Sequence, residues 1–256
     1  MSNPVLSGER WDEVANADRP VSSATSMTVN GTVMKTGVLL LFLITAMGWM
    51  WSSFWNHGQP DMHAIYPWFI GGAIGGLVLC LIGMFVPKIA FVFAPLYAVA
   101  EGLFLGGLTM YIQSLYPKSN LPLLAASFTT ACVLGMLMLY MTGIIKATPG
   151  FVRGVMIATV GLALGMGILM LLNMFGVGGG IAAALGGSGP IGIIFSIFCV
   201  GLAAFNLVVD FGFIEQGARQ GQPKYMEWVG AFGLLVTLVW LYVEILILLM
   251  KLQRRD

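Results

Sequence analysis

From residue 34 onward, long apolar runs alternate with short polar breaks. Seven such runs fall near residues 34–55, 64–86, 89–113, 122–145, 152–175, 190–214 and 226–250. Each matches the length of about 20 residues that a helix needs to cross a hydrocarbon core. Lipid offers no partner to an unpaired backbone group, so the runs must be helices or the strands of a closed barrel. No alternating pattern suggests a barrel. The pattern therefore predicts an all-α, polytopic membrane bundle.

The polar breaks complete the layout. Residues 1–33 are polar and include Glu9, Asp12, Glu13 and Asp18, with no apolar core before a cleavage site. This is the composition of a disordered cytoplasmic tail rather than a secretory signal, and 34–256 form the membrane domain. Trp11 is read as an ordinary tail residue. Most connections are short and make successive helices antiparallel neighbours. The exception, 176–190 (GVGGGIAAALGGSGP), is uncharged and reads as flexible, dipping toward the membrane. It lacks the Lys-Ser/Thr of a phosphate-binding loop. Gly71 and Gly75, Gly102 and Gly106, and Gly161 and Gly165 form small-residue faces that permit close helix approach.

Composition agrees with this picture and narrows it. The chain is 58% hydrophobic and 9% charged, with a mean hydropathy of +0.90. Soluble domains carry roughly 25% charged residues, so this chain could not cover a water-facing surface. A net charge of +1 offers nothing to nucleic acid. Arg10, Arg19, Lys35, Lys88, Lys146, Arg153, Arg219 and Lys224 fall on one side of the predicted membrane. Lys118, Lys251, Arg254 and Arg255 fall on the other. That bias predicts a cytoplasmic N-terminus, with Trp49, Trp51, Trp55, Trp68 and Trp228 among the aromatic residues near segment ends. Cys80, Cys132 and Cys199 lie within apolar runs and read as packing residues. His57 and His63, in the first outer loop with Asp61, read as polar loop residues. No HExxH motif, membrane-embedded histidine or Ser-His pair supports an enzyme, no lysine is expected within the last run, and no cofactor is implied.

Three carboxylates interrupt the apolar runs. An acid near the bilayer centre costs about 2.5–3.5 kcal/mol on insertion scales, so it faces protein or water and marks a functional site. Glu101 lies about 18 Å into the third run and Glu244 about 23 Å into the seventh, which places them at comparable depth. Asp210, in the sixth run, lies about 15 Å nearer the inner face. A direct contact between Asp210 and Glu244 then needs a tilted or broken helix. Glu227 is the better-placed neighbour of Asp210, and Lys88 a candidate counter-charge at the inner rim. Glu215 reaches interfacial water. Burial disfavours a charged carboxylate, whereas a divalent cation supplies the missing charge. Protons and cations would compete for one site.

Particular stretches bear a family resemblance. SNPVL near the start, MTVNGTVMKTGVLLLF at the first run, APLYAVAEGLFLG in the third and VVDFGFIEQGARQGQPKYMEWVGAFGLLVTLVWLYVEIL at the end resemble the bacterial branch of the Bax inhibitor-1 (transmembrane Bax inhibitor motif) family. The resemblance covers nearly the whole chain. It implies seven helices with the last central among the other six. It also implies a pH-sensitive calcium leak, attributed to paired aspartates of helices six and seven. In eukaryotic relatives it implies modulation of cell death and organelle calcium; in a bacterial relative, inhibition of a membrane-bound protease. Asp210 matches the first aspartate, and Glu244 in LYVE stands where the family has LYLD. The second acid is thus glutamate, the span separating the two is longer, and Lys88 is only a rough equivalent of the family's basic partner. The expected function is a pH-sensitive cation (calcium) leak channel through Asp210, Glu244 and Glu101, with calcium bound or permeant at Asp210 and Glu244. Two alternatives are a non-transporting regulator of a membrane protease or stress response, and a proton-coupled transporter.

Overall fold

The computed structural model describes residues 26–56 and 59–254. Seven helices are long and apolar enough to cross a membrane. Helix α1 spans Val29–Phe54, α2 Met62–Phe85, α3 Ala90–Leu115, α4 Leu121–Met141 and α5 Pro149–Met174. A short helix α6 (Gly179–Gly186) precedes α7 (Pro190–Arg219) and α8 (Met226–Gln253). The strand pairing among the described residues is confined to a two-residue hairpin after α1, β1 (Trp55–Asn56) with β2 (Gln59–Pro60), and a single bridge between Ser26 and Pro223.

Local chemistry sets the helix ends. Thr28, Asp61 and Thr148 cap α1, α2 and α5 by accepting from the backbone N–H three residues on, which satisfies a donor the first turn leaves free. Proline at the first position opens α5 and α7, where its missing N–H costs nothing. The cap at Thr28 starts α1 five residues before the apolar run, so residues 29–33 of the expected tail are helical. Met27 is buried, its N–H donating to the Gln222 carbonyl at 2.6 Å. Residues 1–25, with Trp11, lie outside the described residues, as does His57. The loop 176–190, expected to be flexible, carries α6 packed on α7. Gly221 ends the α7 elbow with φ of 63°, a left-handed turn that glycine adopts without strain.

The last helix is the axis of the bundle. α8 packs against α1, α3, α4 and α7, while α2 leans chiefly on α3, and α5 on α7. Leu235, Leu241 and Leu246 of α8 are fully buried. In α5 only Val155 is buried, and Ile157 and Leu164 are each more than 60% exposed. That outer apolar surface is what a bilayer covers.

Glycines decide how closely the helices approach. A methyl group on Gly102 would overlap the Leu43 carbonyl, and one on Gly106 would fall 2.8 Å from Met50 Cβ, so this pair seats α3 on α1 as expected. On α2 the contact face is shifted by one residue. Gly72 and Gly76 meet α3 most tightly, Gly75 touches Ala100 Cβ at 3.7 Å, and Gly71 meets nothing within 4 Å. Gly161 and Gly165 also meet nothing within 4 Å and are not a packing face.

Candidate functional site

The acids occupy two different interfaces. Asp210 projects from α7 toward α8, where Gly233 leaves room: a methyl group there would sit 3.9 Å from Asp210 Oδ1. The Thr237 hydroxyl, which donates to the Gly233 carbonyl at 3.3 Å, also reaches the Asp210 carboxyl. Asp210 Oδ2 is buried without a hydrogen-bond partner. A cavity of about 250 Å³ adjoins it, lined by Gly83 and Met84 of α2, Phe213 of α7 and Val229, Gly230, Phe232 and Gly233 of α8.

Glu244 lies on the same side of α8. Gly233, Thr237, Glu244 and Lys251 are spaced by four, seven and seven residues, which puts them on one helical stripe. Trp240 Nε1 donates to Glu244 Oε1 at 3.2 Å, and Cys199 of α7 and Lys251 lie close by. Lys251 is 4% exposed and donates to the Leu185 carbonyl at 2.7 Å, the Gly192 carbonyl at 3.0 Å and Ser196 Oγ at 2.8 Å. A polar seam thus follows the α7–α8 contact from Asp210 through Thr237 to Glu244, Ser196 and Lys251.

Asp210 and Glu244 share this seam without touching. Both helices are unbroken, and Glu244 lies beyond the Gly233–Thr237 level by about 10–16 Å of helix rise. The candidate calcium ligands are therefore not brought together, and no cluster of three or more His, Cys, Asp or Glu residues able to hold a metal occurs among the described residues.

Glu101 sits elsewhere, between α2 and α3. A methyl group on Gly76 would fall 2.7 Å from its Oε1, and the Tyr97 hydroxyl bonds to its carboxyl. Tyr97 and Phe93 pack edge-on against Phe232, with centroids 5.0 and 5.1 Å away. This aromatic cluster sets the α3–α8 register. It leaves Glu101 about 9 Å past the Phe232 level and Glu244 about 18 Å past it. The two are not at comparable depth. Phe232 lines the Asp210 cavity and touches Tyr97, so a wall of aromatic rings separates Asp210 from Glu101.

The two expected neighbours of Asp210 behave otherwise. Lys88, in the short Pro87–Ile89 turn, is exposed, and no ion pair joins it to Asp210 among the described residues. Glu227 is fully buried and bound to α1 instead. It pairs with Lys35 and, at 2.9 Å, with Lys224, and it accepts from Thr28 Oγ1 at 2.8 Å and Thr28 N at 2.9 Å. Lys35 also lies over the Trp228 ring. Glu215 is half-exposed, as expected, but also accepts from the Tyr140 hydroxyl and pairs with Arg219.

Lys35, Thr28 and Lys251 are partners that reading the chain missed. Lys35 lay one residue inside the first run, a signal for a buried ion pair. Lys251 fell just past the last run and was grouped with the terminal arginines, but α8 extends through it to Gln253.

Seven lipid-crossing helices, the last of them central among the other six, with carboxylates held inside, define a polytopic all-helical membrane protein. The chain belongs to the Bax inhibitor 1 like family, whose model matches residues 3–254. No curated protein and no solved structure matches it.

Proposed function

We propose that the protein is a pH-sensitive cation leak channel in which the α7–α8 seam is the ion path. The observation that carries this reading is the buried, unpartnered Oδ2 of Asp210 beside its cavity. A carboxylate oxygen in a membrane interior, denied a protein donor, asks for a proton or a cation. Calcium takes six to eight oxygen ligands, and the cavity has space for about eight waters at roughly 30 Å³ each. Asp210 and Thr237 would hold a partly hydrated ion rather than strip it. Glu244 and the Lys251 ammonium lie further along, the lysine as the counter-charge in the role expected of Lys88. Glu101, behind Phe232 and Tyr97, lies outside this path.

Membership of the family supports a channel-like role; the basic residues crowded at one end support an inside N-terminus, and the bacterial inner membrane rests on the resemblance to the family's bacterial branch. Calcium and protons compete at Asp210: a proton removes the charge that attracts the ion, so calcium occupancy falls as pH falls. The test is calcium flux into liposomes holding the wild type or Asp210→Asn, across pH 5 to 8. Wild-type flux changes with pH and the variant loses that dependence. Identical profiles in the two would end the channel reading. No flux in either would favour a membrane regulator of a protease or stress response.

A further inference from the structure

The face of α8 turned away from Asp210 borders a second, larger cavity. Leu235, Val239 and Tyr242 of α8 form its floor with Leu105 of α3, and α1 and α4 form its walls, enclosing about 540 Å³. On α8 these positions lie half a turn from Gly233 and Thr237, so the cleft and the ion seam flank opposite sides of one helix.

Every side-chain donor in the lining is already spent. Trp51 Nε1 donates to Thr109 Oγ1 at 3.0 Å and the Tyr242 hydroxyl to the Pro122 carbonyl at 3.3 Å. The Thr129 and Thr130 hydroxyls donate to carbonyls of their own helix, Ala125 at 2.7 Å and Ala126 at 2.8 Å. The cleft offers an occupant no free side-chain donor and only a few hydroxyl oxygens as acceptors in an otherwise apolar lining, which disfavours water and polar solutes as stable tenants. At its rim Ile44 is 60% and Leu134 55% exposed, so the cleft is continuous with the lipid-facing surface. From Leu40 to Trp51 it follows α1 for about 16 Å, near half of a hydrocarbon core about 30 Å thick. Trp51 stacks on Trp55 at the end of α1, where the aromatic belt marks the membrane boundary.

We propose that this cleft is a binding site for one acyl chain of a bilayer phospholipid, drawn from the leaflet on the Trp51 side. The site is lateral, opening to lipid between α1 and α4, and it does not depend on what the seam conducts.

Gly48 supplies the test. It lines the cleft, and a Cβ there meets no atom within 4 Å, so a large side chain can fill the space without displacing backbone. Full-length protein in detergent, supplied with dioleoylphosphatidylglycerol, is weighed by native mass spectrometry. Wild type retains one lipid after gentle activation. Gly48→Phe lowers that occupancy at least ten-fold, while Gly161→Phe, at an equally open glycine of α5, leaves it unchanged. Ile44→Trp covers the cleft from its exposed rim and carries the comparison if Gly48→Phe does not purify as folded protein. Equal retention in wild type and the cleft variants overturns the proposal, as does equal loss in Gly161→Phe. A dimer peak that Gly48→Phe abolishes would also overturn it, assigning the cleft to a second copy of the chain.

Discussion

Glu227 shows how much a single residue's surroundings decide. Its carboxylate is fully buried against two lysines and Thr28, at the point where the chain enters α1 beside the start of α8. A methyl group on Gly31 would overlap that carboxylate, so the glycine is what lets the acid in. Removing the acid leaves Lys35, whose side chain is only 19% exposed, without its carboxylate, at a cost below that of a fully buried pair, about 3–5 kcal/mol, because both lysines reach solvent. Glu227→Ala therefore lowers the thermal midpoint in detergent markedly, and Lys35→Met combined with it restores part of the loss; unchanged midpoints would show that the cluster is solvated. By position alone Glu227 was indistinguishable from a rim carboxylate. Asp210 was legible from its apolar flanks, but that its Oδ2 lacks a donor depends on Gly233 and Thr237, residues distant in the chain.

At the scale of elements, two contacts make opposite demands. Gly102 and Gly106 carry α1 at backbone distance, so Gly102→Leu overpacks that contact, a change that costs about 1–3 kcal/mol or more. Gly161→Leu faces open space on α5 and leaves the thermal midpoint within experimental scatter. Paired melting curves of the two variants check this, and equal effects would refute the assignment of faces. Lys251 joins three elements through one ammonium, accepted by the end of α6, the first turn of α7 and Ser196. Lys251→Met withdraws the donor from the Leu185 carbonyl at the end of α6, at about 1–3 kcal/mol if that carbonyl stays dry. Hydrogen exchange over residues 185–196 is expected to quicken while exchange in α1 and α3 holds. Small-residue spacing revealed one glycine face correctly, found the α2 face with one of its two glycines, Gly75, while missing the tighter Gly72 and Gly76, and invented one on α5. A glycine pair specifies that a helix can be approached, not that a neighbour comes.

For the whole molecule, the distribution of charge along the bundle axis is the property to test. Lys35, Lys88, Lys146, Arg153, Arg219 and Lys224 crowd one end, and Lys118, Lys251 and Arg254 the other. With the N-terminus inside, an impermeant thiol reagent added outside intact cells labels Lys118→Cys and spares Lys146→Cys, both positions being exposed. The reverse result would invert the proposed orientation. Measurements are made on a background lacking Cys80 and Cys132, which are half-buried.

The number of crossings, their limits to within a few residues and the three carboxylates at membrane depth were all legible in the order of residues, because run length and the cost of charge in lipid are local properties. Which face each helix turns inward was not. These helices are apolar nearly all round, and lipid tails attract leucine as well as protein does, so hydrophobicity selects no face. Tertiary packing made that choice through glycine clearance, aromatic registers such as Phe93 and Tyr97 on Phe232, and buried charges seeking partners. It separated Glu101 from Asp210, aligned Asp210 with Glu244 along one seam and drew Glu227 and Lys251 inside, since a pairing between charges far apart in the chain exists only once the helices have met.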